Sequence, residues 1–295
     1  MTKSAASQTL TRDGRPYVQW QRYWTPLHTV PETEHGGYLR EPFYTSSYSQ
    51  APVRVANHDV RTYADLAATP CLILLGEPGA GKSTEIAHFE ESEAVWVDLG
   101  AVGGESGFAD ALARHPRVRA WRDDGDALTL LVDAYDEALL RVDAAAVLLQ
   151  DALVDQLPPH LRPERAQSLR LRITSRAGVW PESVTEAFQS LWGTDAVGVY
   201  TLAPLRRSDA ALAAETLGIP PGPFLTAVAD AGAGSWASLP LTLFWLLGIY
   251  QRDGAFPDTR RELFETAARF LCEEHNRRRL AADRHGLLTP GQRLP

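Results

Sequence analysis

The chain has 295 residues and a net charge of −8, and 44% of its residues are hydrophobic and 22% charged. These values are typical of a globular protein with one large domain or two modest ones. The negative charge argues against general binding to nucleic acid or to an anionic membrane. The longest strongly apolar segment, residues 239–250, is too short to span a bilayer. The two cysteines match no metal or disulfide pattern, which fits a cytoplasmic location.

Residues 1–65 are predicted to form an N-terminal arm that is rich in aromatic residues, proline and glycine. The helical spacing of Trp20, Tyr23 and Trp24 predicts one short amphipathic helix in this arm. We expect the arm to pack its rings on the main domain, and docking of a partner is the alternative. No recognisable effector or catalytic domain fits these residues.

Residues 66–204 alternate between short apolar runs and amphipathic segments, which predicts an α/β domain with a parallel sheet. The predicted strands cover residues 71–75, 94–99, 128–132, 169–174 and 197–202. Helices are predicted over residues 83–91, 108–114 and 136–157, and the rest of residues 100–126 is predicted to be irregular. The alternating arginines Arg170 and Arg172 depart from the pattern of a fully buried strand.

Residues 205–295 contain no further strand pattern and are predicted to form a small all-helical subdomain. Its predicted helices cover residues 208–217, 223–231, 239–250 and 259–279.

Residues 76–83 read GEPGAGKS and match the phosphate-binding pattern GxxxxGK[ST] between a predicted strand and a predicted helix. The glycines let backbone N–H groups turn toward a phosphate, and the helix N-terminus adds partial positive charge. Only 2 of the 29 basic residues are lysines, and one of them is Lys82, which is expected to reach the β- and γ-phosphates. The Ser83 hydroxyl is expected to ligate Mg²⁺. The residues predicted to bind nucleotide here are Gly76, Gly79, Ala80, Gly81, Lys82, Ser83 and Thr84.

The segment LTLLVDAYDE ends a predicted buried strand in carboxylates about fifty residues after the phosphate loop. Asp133 at the strand tip is predicted to hold Mg²⁺ through water. Asp136 and Glu137 are candidates for orienting or deprotonating an attacking water. The strand over residues 94–99 suggests the subclass of P-loop NTPases in which another strand lies between the phosphate-loop strand and the acidic strand. The guanine signature Asn-Lys-x-Asp is absent from the sequence, which favours ATP or ADP without excluding GTP.

The next predicted strand ends in Thr-Ser-Arg, so Arg176 stands at a strand tip where it could touch the γ-phosphate. A solvated surface arginine is the alternative. The predicted fold is accordingly a P-loop NTPase of the α/β class with a five-stranded parallel sheet flanked by helices, followed by the all-helical subdomain.

Five motifs together resemble the NACHT group of STAND signalling NTPases over residues 70–275: GEPGAGKST, LTLLVDAYDE, LRITSR, TLAPL and SLPLTLFWLL. The small residue after Asp133, followed by paired acids, is the most telling feature. The resemblance implies that Asp133 is the acid on the Mg²⁺ side, that Asp136 and Glu137 are the hydrolytic acids, and that Arg176 is a sensor arginine. It also implies that Pro240 lies against the base, although a proline that simply begins a helix is the alternative.

Proteins of this group use ATP as a switch: an ADP-bound closed form opens and oligomerises after a ligand is sensed. An effector usually precedes the NTPase, and a winged helix and repeats follow it. The sequence matches neither of these flanking parts, so we expect a fragment, a truncated product, or a core that works with a separate sensor or effector protein.

The leading hypothesis is a nucleotide-dependent switch that hydrolyses ATP slowly, in bacterial immunity or signalling. A nucleotide-binding scaffold without hydrolysis and a mechanical AAA+ ATPase are the alternatives. Nucleotide, self-association, and a separate sensor or effector are the expected interactions, whereas membrane and nucleic acid are not expected partners.

Overall fold

The computed structural model describes residues 18–41, 56–90, 94–98, 112, 114–133 and 162–272. The contacts among these residues divide into two units. The sheet unit comprises the described residues within 22–31 and 58–203, and the helical unit comprises those within 18–21, 32–57 and 204–272.

The sheet unit is built around one mixed sheet. Within the described residues its strands are β1 (Trp24–Pro26), β2 (Cys71–Leu75), β3 (Val95–Asp98), β4 (Leu128–Asp133), β5 (Leu169–Ser175) and β6 (Val197–Leu202). They lie in the order β1-β6-β2-β5-β4-β3. Neighbouring strands are parallel except β1 and β6, which are antiparallel. All five predicted strands are confirmed, but the predicted five-stranded parallel sheet is wrong because β1 adds a sixth, antiparallel strand.

The additional strand β1 lies where the aromatic spacing predicted a helix. Trp24 pairs with Leu202 of β6, and its N–H donates to the Arg61 carbonyl at 2.8 Å. The Trp24 side chain is fully buried. The helix prediction is wrong because the open edge of β6 offers backbone hydrogen bonds and a buried place for the Trp24 ring. Aromatic residues are as well suited to a strand as to a helix, so their spacing alone did not distinguish the two.

Five helices of the sheet unit lie within the described residues. They are α1 (Tyr63–Leu66), α2 (Lys82–Glu90), α3 (Pro116–Asp124), α4 (Arg162–Gln167) and α5 (Glu182–Trp192). The prediction that residues 115–126 are irregular is wrong, because α3 occupies most of them. Its start and stop signals are local: Pro116 is in the first turn, and Gly125 ends the helix in the left-handed region. Of the helix predicted over residues 108–114 only residues 112 and 114 are described, and the one over 136–157 lies outside the described residues.

The strand order also shows which strand separates β2 from β4. β5 pairs with both of them, in parallel, whereas β3 pairs with β4 on its other side. A strand does lie between the phosphate-loop strand and the acidic strand, but it is β5 rather than the strand predicted over residues 94–99. Sequence order cannot reveal this, because a crossover connection can place a later strand between two earlier ones.

One face of the sheet carries the main core of this unit. Alternate residues of β2, β4 and β5 pack with α3 and α5, through Val118, Trp121, Val184 and Phe188 among others. Cys71 belongs to this core and is fully buried, and burial raises the pKa of its thiol to about 12. This environment agrees with the sequence interpretation of Cys71 as a small core residue rather than a reactive thiol.

The opposite face explains the arginines of β5. Arg170 is exposed, whereas Arg172 is fully buried. The Arg172 guanidinium donates to the carbonyls of Ala67 at 2.7 Å and Thr69 at 2.8 Å and to the Tyr63 hydroxyl at 3.2 Å. A buried guanidinium is tolerated when its donors are satisfied, so Arg172 ties β5 to α1.

The helical unit contains five helices within its described residues: α6 (Arg207–Thr216), α7 (Pro221–Asp230), α8 (Gly234–Ala237), α9 (Pro240–Asp253) and α10 (Arg260–Cys272). Their inner faces form a second core, in which the rings of Phe224, Tyr250 and Phe256 contact one another. The four helices predicted for this region are confirmed within one to three residues at their described ends, and α8 is additional. In the described part of the chain no helix is long and apolar enough to cross a membrane.

Candidate nucleotide-binding site

The phosphate loop joins the carboxyl end of β2 to the start of α2. Gly79 and Gly81 have φ of 75° and 93°, a region that glycine adopts without steric cost. Ala80 between them is only 2% exposed. The N–H of Gly76 donates to the Ser175 carbonyl at 3.2 Å, which fastens the start of the loop to the end of β5. The backbone that the loop adopts therefore favours glycine at positions 79 and 81.

The start of α2 contributes backbone N–H groups and partial positive charge to the site. The N–H of Glu85 donates to the Gly81 carbonyl at 3.0 Å, so the helix begins directly at the glycine loop. The N–H groups of a first helical turn have no acceptor within the helix, and the helix dipole makes this end partly positive. A glycine loop that leads into such a helix end is an arrangement suited to phosphate.

Lys82 contacts the first two residues of its own loop. Its Nζ donates to the Gly76 carbonyl at 2.6 Å and to the Glu77 carbonyl at 3.2 Å. An ammonium group has three donors on a flexible stem. Lys82 can therefore turn toward a phosphate, or share its donors between phosphate and the loop carbonyls.

Asp133 at the end of β4 accepts hydrogen bonds from two hydroxyl groups that belong to different elements. The Ser83 hydroxyl donates to Asp133 Oδ1 at 2.8 Å, and the Thr174 hydroxyl of β5 donates to the same oxygen. Asp133 is the next residue after Val132, which pairs with Ile173 of β5. The register of β4 and β5 therefore brings Asp133 beside Thr174, and the phosphate loop brings Ser83 to the same place.

These groups fit a magnesium ion held together with phosphate. Hydroxyl and carboxylate oxygens are the ligands that Mg²⁺ takes, and it keeps several waters and phosphate oxygens when few protein ligands are present. Among the described residues no group of three His, Cys, Asp or Glu could hold a metal on its own. Ser83 and Asp133 would thus hold Mg²⁺ only as part of a nucleotide complex, in which it would neutralise phosphate charge.

Two further predicted site residues, Arg176 and Thr84, have exposed side chains. Arg176 directly follows β5, in an extended conformation that begins a short 3₁₀ turn at Ala177–Val179, and its side chain is exposed. Thr84 is exposed on α2. Because Ser175 contacts Gly76, the backbone of Arg176 starts at the edge of the phosphate loop, and its role at a γ-phosphate stays a prediction.

Several solved structures are similar to this chain. A Walker-type ATPase of Pyrococcus abyssi is 14% identical, with 75% of this chain and 74% of that chain covered and a TM-score of 0.41. A STAND protein of Pyrococcus horikoshii with a tetratricopeptide repeat sensor is 15% identical, with 80% and 34% covered and a TM-score of 0.39. Domain III of the Thermotoga maritima replication initiation protein DnaA is 13% identical, with 69% and 88% covered and a TM-score of 0.40. No protein-family model and no curated protein matches the chain.

Because these similarities are low, the fold assignment rests on the geometry of the chain itself. The glycine loop follows a central parallel strand, opens a helix, and presents Ser83 to an aspartate two strands away. The fold is that of a P-loop NTPase.

A residue that the sequence did not reveal also contacts the phosphate loop of this P-loop NTPase fold. Arg22, two residues before β1, is 2% exposed. Its guanidinium donates to the Ala80 carbonyl at 2.7 Å and to the Ala203 carbonyl at 3.0 Å. No spacing motif connects Arg22 to a loop 58 residues later, so only the tertiary structure could find it.

Glu85 is a buried carboxylic acid beside the phosphate loop, and no motif in the sequence points to it. It lies on α2 within the first turn after the phosphate loop and is 9% exposed. Burial raises the pKa of its carboxyl from the ordinary 4.5 to about 7, and the charge of Arg22 lowers this pKa in part. The signal in the sequence is weak, because a glutamate in a helical first turn is ordinarily a solvated residue that favours the helix dipole.

Three predicted site residues lie outside the described part of the sheet unit. Asp136 and Glu137 lie outside the described residues. Pro240 is the first residue of α9, in the helical unit, with Leu239 as the preceding cap. This position suits proline because its missing N–H would have no helical partner there. The roles of these three residues stay predictions.

Proposed function

We propose that this chain is a nucleotide-dependent molecular switch that binds ATP-Mg²⁺ or ADP and hydrolyses ATP slowly, as in NACHT-type STAND proteins. The observation that carries nucleotide binding is the contact of the Ser83 hydroxyl with Asp133 beside a glycine loop of the required backbone shape. The NACHT-type switch, the role in bacterial immunity or signalling and the cytoplasmic location are supported only by the sequence motifs and composition.

Nucleotide binding is tested by titrating the protein with a fluorescent ATP analogue in the presence of Mg²⁺. We expect Lys82→Ala to weaken binding at least tenfold, because in the proposed complex the ammonium group would contact the β- and γ-phosphates. Lys3→Ala is the matched control, since Lys3 is the other lysine of the chain, and it should bind as the wild type does. Equal affinity of wild type and Lys82→Ala would contradict the proposal.

Hydrolysis is tested by single turnover of ATP with the wild type and with Glu137→Gln and Asp136→Asn. We expect both substitutions to slow a measurable wild-type rate, because a carboxylate that orients or deprotonates water contributes roughly 10²- to 10⁴-fold. An unchanged rate in both variants would count against hydrolysis by this site, and the absence of a measurable wild-type rate would favour a scaffold that holds nucleotide without turning it over. A ring hexamer on ATP addition would instead favour a mechanical AAA+ ATPase.

The switch is tested by comparing the sedimentation of the protein with ADP and with a slowly hydrolysed ATP analogue. A switch must have a conformation or an assembly that the two nucleotides bind differently. We expect the ATP analogue to favour self-association, with or without a separate sensor or effector protein. Identical sedimentation and identical proteolysis patterns in both nucleotides would contradict the switch.

A further inference from the structure

The buried arginine Arg22 joins three parts of the sheet unit. It lies two residues before β1, and its two terminal nitrogens donate to carbonyls in the phosphate loop and at the end of β6. The backbone beside it is held as well, since the N–H of Ala203 donates to the Tyr23 carbonyl at 2.8 Å. The Arg22 side chain therefore fastens the segment before β1 (residues 22 and 23) to the phosphate loop. Side chain and backbone together fasten this segment to the end of β6.

The hydrogen bond to Ala80 constrains one peptide plane of the loop. The Ala80 carbonyl and the Gly81 N–H belong to the same planar trans peptide and point in opposite directions. Since the carbonyl points at the Arg22 guanidinium at 2.7 Å, the Gly81 N–H is directed away from it. Glycine on either side of Ala80 leaves this plane little intrinsic restraint, so the guanidinium supplies the restraint.

The charge of Arg22 acts in the same region. Arg22 is 2% exposed, so the hydrogen bond from its charged guanidinium to the Ala80 carbonyl lies in a poorly solvated place. A charge-assisted hydrogen bond in a poorly solvated site is stronger than one between neutral groups. A lysine at this position would keep the charge and one donor direction, whereas a glutamine would keep a donor without the charge.

We propose that Arg22 is a positioning residue for nucleotide binding, which orients the Ala80–Gly81 peptide and couples the segment before β1 to occupancy of the phosphate loop. This inference rests on the proposed nucleotide binding. It gives the segment before β1 a role in nucleotide binding, in addition to the packing role expected for the N-terminal arm.

The test compares the wild type with Arg22→Gln and Arg22→Lys by titration with the fluorescent ATP analogue and Mg²⁺. We expect Arg22→Gln to bind about tenfold more weakly and Arg22→Lys about threefold more weakly, because lysine restores the charge-assisted bond. Arg170→Gln is the matched control, since Arg170 is exposed on β5 of the same unit, and its affinity should equal that of the wild type. Titrations are made at a temperature well below the thermal unfolding midpoint of each variant, so that all of the protein is folded. If Arg22 only stabilised the fold, the affinity would then be the same in all variants.

A measurement on the wild type keeps the inference testable if the Arg22 variants do not fold. Hydrogen exchange followed by mass spectrometry should slow on addition of ATP-Mg²⁺ both in peptides covering residues 76–84 and in peptides covering residues 22–26. Slowing confined to residues 76–84 would overturn the coupling.

The outcomes separate this inference from the proposed function. If the wild type binds nucleotide in a manner that depends on Lys82, and both Arg22 variants bind equally well, the role of Arg22 is wrong and nucleotide binding stands. If binding by the wild type does not depend on Lys82, both proposals fail. Weakening in Arg22→Gln with partial rescue in Arg22→Lys supports the positioning role.

Discussion

Asp133 shows how a single carboxylate can organise a site. Its Oδ1 accepts hydrogen bonds from Ser83, which the phosphate-loop motif identifies, and from Thr174, to which the sequence analysis assigned no role. Each hydroxyl comes from a different element, so the position of the carboxylate depends on the loop and on the sheet register together. The Thr174 hydroxyl should therefore affect Mg²⁺ rather than the phosphates directly.

We expect Thr174→Val to weaken Mg²⁺-dependent nucleotide binding about fivefold, which corresponds to about 1 kcal/mol for one hydrogen bond. The measurement is a titration with the fluorescent ATP analogue in millimolar Mg²⁺ and again in excess EDTA. In EDTA the difference between variant and wild type should disappear. Thr216→Val, at an exposed hydroxyl of α6, is the control, and a difference that persists in EDTA would contradict the assignment.

Glu85 makes the stability of the protein depend on pH. Its carboxyl has a pKa of about 7 in the folded state against an ordinary 4.5, because it is buried. The folded state then binds the proton more tightly than the unfolded state, so this contribution to stability is complete below pH 4.5 and is lost as pH rises through 7. Substitution by the neutral isostere glutamine should remove the dependence.

We expect the free energy of unfolding of the wild type, relative to that of Glu85→Gln, to fall by on the order of 3 kcal/mol between pH 4.5 and pH 8. Urea denaturation across this pH range measures the difference. Glu186→Gln, at an exposed carboxyl of α5, serves as the control. A difference between wild type and Glu85→Gln that stays constant or rises with pH would contradict the sign.

At the scale of elements, α1 and β5 are joined by a polar contact rather than an apolar one. The Arg172 guanidinium reaches the Tyr63 hydroxyl and several carbonyls around the end of α1. Removing one partner of a buried polar contact leaves the other partners unsatisfied, which costs more than the contact contributed.

We expect Arg172→Met to lower the free energy of unfolding by about 3 kcal/mol, since the buried Tyr63 hydroxyl and the partly buried carbonyls of Ala67 and Thr69 lose their donor. Chemical denaturation measures this loss. Arg170→Met changes the same residue type two positions earlier, where the side chain is exposed, and should stay within about 0.5 kcal/mol of the wild type. Equal losses in the two variants would show that Arg172 has no special role.

Most elements were predictable because their signals are local. Each of these signals spans only a few residues. Examples are the apolar runs of β2 and β6 and the proline and glycine residues at the ends of the later helices. The prediction failed at β1, whose pairing with β6 joins residues 24 and 202. It also failed at α3, whose body PRVRAWRDD carries five charges, so the two buried residues Val118 and Trp121 gave too weak a period.

At the scale of the whole molecule, nucleotide binding should appear as a gain in stability. A ligand that binds only the folded state stabilises it in proportion to the logarithm of its concentration over Kd. The site lies on the sheet unit, between the end of β2 and the start of α2, so unfolding of this unit must release the nucleotide. The gain should therefore follow the affinity of each variant.

We expect ATP-Mg²⁺ at a hundred times Kd to raise the free energy of unfolding by about 2.7 kcal/mol. Thermal unfolding at increasing nucleotide concentration should show a midpoint that rises by several degrees in the wild type and in Lys3→Ala. In Lys82→Ala, with at least tenfold weaker binding, the gain at the same concentration should be at most about 1.4 kcal/mol, so the midpoint should rise by about half as much or less. A rise of equal size in all three proteins would indicate a nucleotide site elsewhere in the chain.

The sequence by itself determined the phosphate loop, Asp133 at a strand tip and the α/β class, because a glycine loop, a lysine and an apolar run act over a few adjacent residues. Only the tertiary structure decided that β5 lies between β2 and β4, that Thr174 shares Asp133 with Ser83, and that Arg22 holds the Ala80 carbonyl. These contacts join residues 41 to 58 positions apart or strands distant in the chain. Their formation depends on sheet register and burial, which no local pattern of side chains encodes.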